Sequence, residues 1–176
     1  MGTHVIEAGF PANSDAEFEA VRDIARMTET DVAGLARVVE ADVQAAVESE
    51  VDVIHVFAST SDVQIDDSMH SNREEVKERS VAAVEQATAG GAEVMFSPMD
   101  ATRTDRDYLA EVLEAVDGAG VDWVNIPDTT GVASPSRFAD LIRFVGEHTA
   151  ARIDVHTHDD FGMAAANAIA GIEAGA

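Results

Sequence analysis

Two histidines near the C-terminus, His156 and His158, stand at i and i+2 within Asp154-Val155-His156-Thr157-His158-Asp159-Asp160. On a strand alternate side chains share a face, so both rings point the same way. Neutral imidazole nitrogens are good ligands for divalent metals, and such a pair supplies two of them. Asp154 and Asp160 share the same parity, which makes that face polar along its length. The competing reading is two exposed histidines on an edge strand, and the pair alone does not choose. Further chemistry-bearing residues stand where other apolar runs end: Glu7, Arg37, His55, Ser97, Asp100, Arg103, Asn125, Asp128 and Thr129. Singly each has an ordinary use. Glu7 and Asp128 could satisfy backbone donors, and Arg37 could pair with a neighbouring acid. Together they are carboxylates, arginines, and hydroxyl or amide donors gathered around a metal pair.

The elements that must position them repeat one unit: a short apolar strand, a polar or Pro-containing turn, then an amphipathic helix. Strands are read at residues 4–10, 31–38, 51–58, 93–97 and 122–126, with a sixth carrying the histidines. Pro11, Pro98 and Pro127 are read as strand stops. Helices follow an Asn13 or Ser14 cap, then span about 40–49, 73–89, 105–118, 134–148 and 163–173, with residues 61–70 left as a polar loop. Strand–helix alternation with right-handed crossovers predicts a parallel sheet covered by helices. No glycine-rich dinucleotide or phosphate loop follows the first strand, so an open doubly wound sheet is disfavoured. Reactive residues collected from the ends of many strands point instead to a (β/α)8 barrel. Such a barrel takes about 250 residues, and about six units are present. The expected architecture is therefore an incomplete TIM barrel lacking the first and last units. It forms one partial catalytic domain over residues 1–176, an internal piece of a larger chain, poorly stable in isolation because two parallel edges are left unpaired.

Composition narrows the partners. The 176 residues hold 11 Lys+Arg against 34 Asp+Glu, a formal charge of −23, with Lys77 the single lysine. That balance argues against nucleic acid or an anionic membrane as a partner. With 46% apolar residues and clear periodicity the acidity reads as a hydrated surface adapted to high salt, a halophilic trait, rather than disorder. Without cysteine there is no disulfide, thiolate nucleophile or Cys-based zinc site. No apolar run reaches the ~20 residues of a membrane span and no signal peptide precedes the first strand, so a cytoplasmic location is expected.

Five segments carry a resemblance: Ile6-Glu7-Ala8-Gly9-Phe10-Pro11, Gly34-Leu35-Ala36-Arg37, Phe96-Ser97-Pro98 with Asp100-Ala101-Thr102-Arg103, Asn125-Ile126-Pro127-Asp128-Thr129-Thr130-Gly131, and His156-Thr157-His158-Asp159-Asp160-Phe161-Gly162. In order and spacing they resemble the 2-isopropylmalate synthase family, with citramalate and homocitrate synthases as relatives. The resemblance implies a TIM barrel that condenses acetyl-CoA with a 2-oxo acid. A divalent metal ion (Mg, Mn or Zn) would be held partly by His156 and His158. It further implies that His55 and Thr129 hydrogen-bond the oxo acid, with Glu7 and Arg103 supporting that pocket. Ser97, Asn125 and Pro127 match positions on the acetyl-CoA side, and Arg37 a substrate-binding position. The full-length protein is expected to be a homodimer.

Two departures stand out. The resemblance places further metal ligands, an Asp and an Asn, on strands this chain does not contain. Met99 occupies a position where the family usually has a Glu connected with proton transfer, which leaves Asp100 or a group elsewhere as base. The expected reaction is that of 2-isopropylmalate synthase in leucine biosynthesis, with 3-methyl-2-oxobutanoate as acceptor. The rivals are citramalate synthase acting on pyruvate (isoleucine biosynthesis), homocitrate synthase, and, in another class, an inactive truncated fragment. The isolated chain is expected to be inactive and to hold metal weakly.

Overall fold

A computed structural model describes residues 2–176. Six strands lie in sequence order in one all-parallel sheet: β1 (Val5–Gly9), β2 (Asp31–Arg37), β3 (Val53–Ser59), β4 (Glu93–Met99), β5 (Trp123–Asp128) and β6 (Arg152–Thr157). The helices that return the chain are α1 (Asp15–Met27), α2 (Glu40–Glu48), the short α3 (Asp62–Gln64), α4 (Arg73–Ala89), α5 (Arg106–Gly118), α6 (Pro135–Gly146) and α7 (Ala164–Ala174). Neighbouring strands are spaced by about 4.8 Å, so a flat sheet would hold β1 and β6 more than 20 Å apart. Glu7 of β1 and His156 of β6 nevertheless line one cavity of about 370 Å³. The sheet is curved into a half-barrel, and its concave face is the lumen.

The other face carries the core. Val32, Ile54, Val56, Val94, Phe96, Val124 and Ile126 are fully buried beneath Val43, Val84, Leu109, Leu113, Phe138 and Ile142 of the helices. Caps set the helix starts. Ser14 Oγ accepts from Glu17 N–H, Asn72 Oδ1 from Glu75 N–H and Asp105 Oδ1 from Tyr108 N–H, which satisfies donors the first turn leaves open. Pro135 occupies the first turn of α6, where its missing N–H costs nothing.

Strand starts are tied by a repeated device. Asp52 and Asp122 stand just before β3 and β5, and each carboxylate accepts a backbone N–H from the preceding strand, Val32 at 2.8 Å and Val94 at 2.9 Å. This fixes the register of both pairs at the end remote from the mouth.

Three expectations need correction. Residues 61–70 are not an open loop: α3 runs into a π-helical turn, Ile65–Met69, closed by His70 in the left-handed region. Buried Ile65 anchors that turn on the core. Pro98 and Pro127 do not end their strands but lie inside them. Val94 bonds toward β5, so by alternation Pro98 faces β5 as well and has no N–H to give. The β4–β5 ladder accordingly stops at Phe96 and Val124. Each proline keeps its strand through the other neighbour, Pro98 opposite Ala58 and Pro127 opposite His156. Beyond the gap a side chain restores the link, with Asp100 N–H donating to Thr129 Oγ1 at 2.8 Å.

Replacing Asp122 with Ala leaves the buried Val94 N–H without its partner and is expected to cost about 1–3 kcal/mol. Urea unfolding followed by circular dichroism checks this; an unchanged midpoint would remove the carboxylate from the account of register.

Candidate active site

Strand alternation decides which side chains reach the lumen. One parity of each strand faces inward, and Glu7, Leu35, His55, Phe57, Ser97, Met99, Asn125, Pro127, Thr129, His156 and His158 line a cavity of about 280 Å³ at the mouth. A second, deeper cavity shares Glu7, His55, Asn125 and His156 and adds Asp154. The layer between the two is a continuous hydrogen-bonded chain. Glu7 Oε2 lies 2.8 Å from His55 Nδ1, and His55 Nε2 lies 2.7 Å from Ser97 Oγ. Ser97 Oγ donates to Asn125 Oδ1 at 2.7 Å, and Asn125 Nδ2 donates to Asp154 Oδ2 at 2.5 Å. Five strands, β1, β3, β4, β5 and β6, each contribute one member.

The donors in this chain have a direction. A carboxylate can only accept, so Asp154 turns the Asn125 amide with its NH2 toward β6 and its oxygen toward Ser97. Ser97 has one hydrogen and gives it to that oxygen. Its own oxygen must therefore accept from His55 Nε2–H. His55 Nδ1 then faces Glu7 with one proton between them. The His55 hydrogen bond holds the Glu7 carboxyl below the usual carboxylate range, against the opposing effect of partial burial and with the help of His55 charge. The net arrangement is a hydrogen-bonded pair, Glu7 and His55, whose bond direction on the Ser97 side is set from across the lumen by Asp154.

His156 and His158 bear out the strand geometry. Their rings stack at 4.8 Å between centroids with an interplanar angle of 3°. Loss of water around the His156 ring pushes its pKa below the usual histidine value, and neighbouring His158 lowers it further. Both effects favour the neutral ring, which is the form that binds metal. The donor chemistry thus fits a divalent ion, but it supplies two ligands. Among the described residues no cluster of three or more His, Asp or Glu side chains could hold a metal.

The structure does not bring Arg37, Asp100 or Arg103 into this cavity. Arg37 turns back onto Asp42, 2.5 Å away at the start of α2, and covers the Phe10 ring at 5.2 Å. Asp100 is fully buried. Its oxygens accept from Arg103 at 2.6–2.9 Å and from Ser61 Oγ at 2.5 Å. It also holds a left-handed backbone conformation. Both residues anchor the turn after β4. Asp128, also fully buried, takes up Thr102 Oγ1, the Val132 and Ala133 N–H groups and Asn167 Nδ2, and so shapes the loop after β5. In that loop Gly131 has φ +62°, and a Cβ there would fall 2.9 Å from Asp160 N. Leu35 and Phe57 are lumen residues that a search for polar chemistry passes over. Their signal was parity with Arg37 and His55.

Because the folded-state pKa of Glu7 is lowered, its charge stabilises the fold above the unfolded carboxylate range, near 4.5, and that contribution is lost as pH falls through the lower folded value. The stability difference between the wild-type chain and Glu7→Gln is therefore expected to be constant at neutral pH and to shrink in acid. Urea midpoints measured from pH 7 down to about pH 3 test it, and a gap that widens in acid would contradict the assigned bond.

Comparison with known proteins gives the family and the fold. A family model described as HMGL-like matches residues 1–176. The chain is 46% identical over its whole length to "Probable 2-isopropylmalate synthase" of Archaeoglobus fulgidus, covering 35% of that protein. It is 43% identical to 2-isopropylmalate synthase of Sulfolobus acidocaldarius, covering 46% of it. The chain thus spans between a third and a half of the length of these curated relatives. Among solved structures, an HMG-CoA lyase from Acenitobacter baumannii, in complex with coenzyme A and 3-methylmalate, superposes on the whole chain with a TM-score of 0.85 at 21% identity, over 61% of that protein. At that identity the likeness supports the fold, a TIM barrel of which these six units are the larger part. The segments around Glu7, His55, Ser97, Asn125 and the two histidines thus stand in a chain that belongs to the HMGL-like family.

Proposed function

We propose that this chain is the central part of a 2-isopropylmalate synthase, joining the acetyl group of acetyl-CoA to 3-methyl-2-oxobutanoate. The observation that carries the reading is the mouth cavity of about 280 Å³, where a stacked histidine pair and the Glu7–His55–Ser97–Asn125 hydrogen-bonded chain line the same space. His156 and His158 would hold a divalent ion, whose Lewis acidity would polarise the oxo group and steady the alkoxide that forms. Thr129 and His55 would position the oxo acid by hydrogen bonds. Met99 cannot accept a proton at neutral pH and serves as an apolar wall beside Phe57. Glu7 is the carboxylate lining the mouth cavity. Glu7 and His55 would therefore take the methyl proton of the acetyl group, with Ser97 and Asn125 fixing the state in which they do so. The ordinary carboxylate alternative, Asp100, has its oxygens committed to Arg103 and Ser61. Citramalate synthase, with pyruvate as acceptor, is the second reading. It is disfavoured because curated relatives across the whole chain are named 2-isopropylmalate synthases. The acidic surface suits activity at high salt, in the cytoplasm, with the full-length protein as a homodimer.

The test grafts residues 1–176 in place of the matched segment of the Sulfolobus acidocaldarius relative. Free coenzyme A is followed at high salt with Mn or Zn ions, using 3-methyl-2-oxobutanoate and pyruvate in parallel. Turnover is expected with the branched acid in preference to pyruvate, while the 176-residue chain alone is expected to be silent. His156→Ala or His158→Ala should lower turnover by roughly 100-fold or more, at or beyond the upper end of losses seen on disturbing a metal site. A folded graft that releases no coenzyme A with either acid would end the synthase reading; full turnover in the histidine variants would end the metal role.

A further inference from the structure

Of the 11 Lys and Arg side chains, all but two reach a carboxylate within 4.0 Å. The exceptions among the described residues are Arg106 and Arg137. In a chain of charge −23 a cation without an acid is the unusual case, and these two line the same cavity. It measures about 380 Å³ and lies between α5 and α6, floored by Thr102, Val132 and Leu141. Asp140 is the acid on its lining, and it is taken by Arg143 at 2.8 Å. The Arg106 guanidinium lies over the Phe144 ring, 4.8 Å from its centroid. That stacking holds the cation in place while leaving its N–H edge free. Removal of water around Arg106 lowers its pKa, and Asp140 only partly compensates. Both arginines stand in the first turns of their helices, where a positive charge is poorly placed unless an anion is near. Three separate costs, missing carboxylates, lost hydration and unfavourable helix ends, meet in one groove, and one anion would relieve them all.

The groove opens at the mouth end of the barrel. Thr102 donates to Asp128, and Thr129, next to Asp128 in sequence, lines the catalytic cavity. The linings of the two spaces are thus joined through Thr102, Asp128 and the adjoining Thr129 at one end of the barrel. We propose that the α5–α6 groove is a phosphate subsite for the nucleotide end of the acyl-carrying thioester, gripped by Arg106 and Arg137. The ligand class rests on the synthase reading above; the anion site itself rests on the unpaired arginines.

Titration of the 176-residue chain with adenosine bisphosphate, the nucleotide end of coenzyme A, followed by amide chemical shifts, tests the subsite. Shifts are expected around residues 102–106 and 132–141. Removing one charge-assisted contact by Arg137→Glu or Arg106→Gln should weaken binding about ten-fold or more. His156→Ala, in the lumen, should leave that affinity unchanged. Arg137 is exposed and makes no ion pair, so its reversal leaves the fold intact, which circular dichroism verifies. Equal affinity in wild type and Arg137→Glu, no binding, or shifts centred elsewhere would overturn the subsite. Inorganic phosphate binding as tightly as the nucleotide would overturn its assignment to a carrier end. Binding at the groove beside a graft that turns over neither oxo acid would sink the synthase reading and leave the anion site standing. Turnover without nucleotide binding at the groove would do the reverse.

Discussion

The single hydrogen of Ser97 is the constraint on which the lumen depends. Given to Asn125, it obliges His55 to donate from Nε2, and the proton next to Glu7 becomes the only free variable in a chain that crosses five strands. Buried polar groups are costly unless every member is satisfied, and a satisfied network fixes one geometry. Here the network also works mechanically. It runs along the concave face of the sheet from β1 to β6, and it ties those two strands inward. The group that holds a proton and the group that holds the curvature are the same.

Alternation then does most of the positioning. A slip of one residue in any strand would exchange lumen and core faces, so the carboxylates Asp52 and Asp122, which tie the strand starts, act at a distance on the mouth. The two prolines act at the other end. By closing the β4–β5 ladder at Phe96 and Val124 they free the strand ends to diverge, and the loops beyond are rebuilt on buried carboxylates. Asp100 and Asp128 look like catalytic acids by position. Their oxygens are instead occupied by Arg103 and Ser61, and by Thr102, Asn167 and two backbone N–H groups. Shaping a mouth from non-hydrogen-bonded loop backbone requires acceptors, and a carboxylate offers the most per residue.

That division explains what could be read from sequence. Strand order, the inward face of each strand and the gathering of Glu7, His55, Ser97, Asn125, Pro127, Thr129, His156 and His158 all follow from periodicity, because alternation acts within a strand. Arg37, Asp100 and Arg103 were not separable from them, because their partners lie after the strand ends, where no periodicity holds. Arg37 has the inward parity and still leaves the lumen, since Asp42 and the Phe10 ring compete for it and win. The run of polar residues from Ser61 to His70 gave no sign of a π-helical turn, which depends on one buried side chain, Ile65, finding the core. Pro98 and Pro127 were misread for a similar reason: a proline ends a ladder on one side only, and which side is a matter of register.

Charge distribution carries the last step. A surface of −23 repels any anionic ligand at long range, but screening confines that repulsion to about 8–10 Å at moderate salt and about 3 Å at 1 M. Under such screening recognition is left to contacts at bonding distance. Nine of the cations are already spent on internal acids, which holds helices and turns together but makes them unusable for binding. The stacked histidine pair and the two unpaired arginines lie at the same end of the barrel. A protein this acidic has no diffuse positive surface with which to attract an anion. Any anion it held would need a few donors free of competing carboxylates, and the mouth is where this chain leaves them.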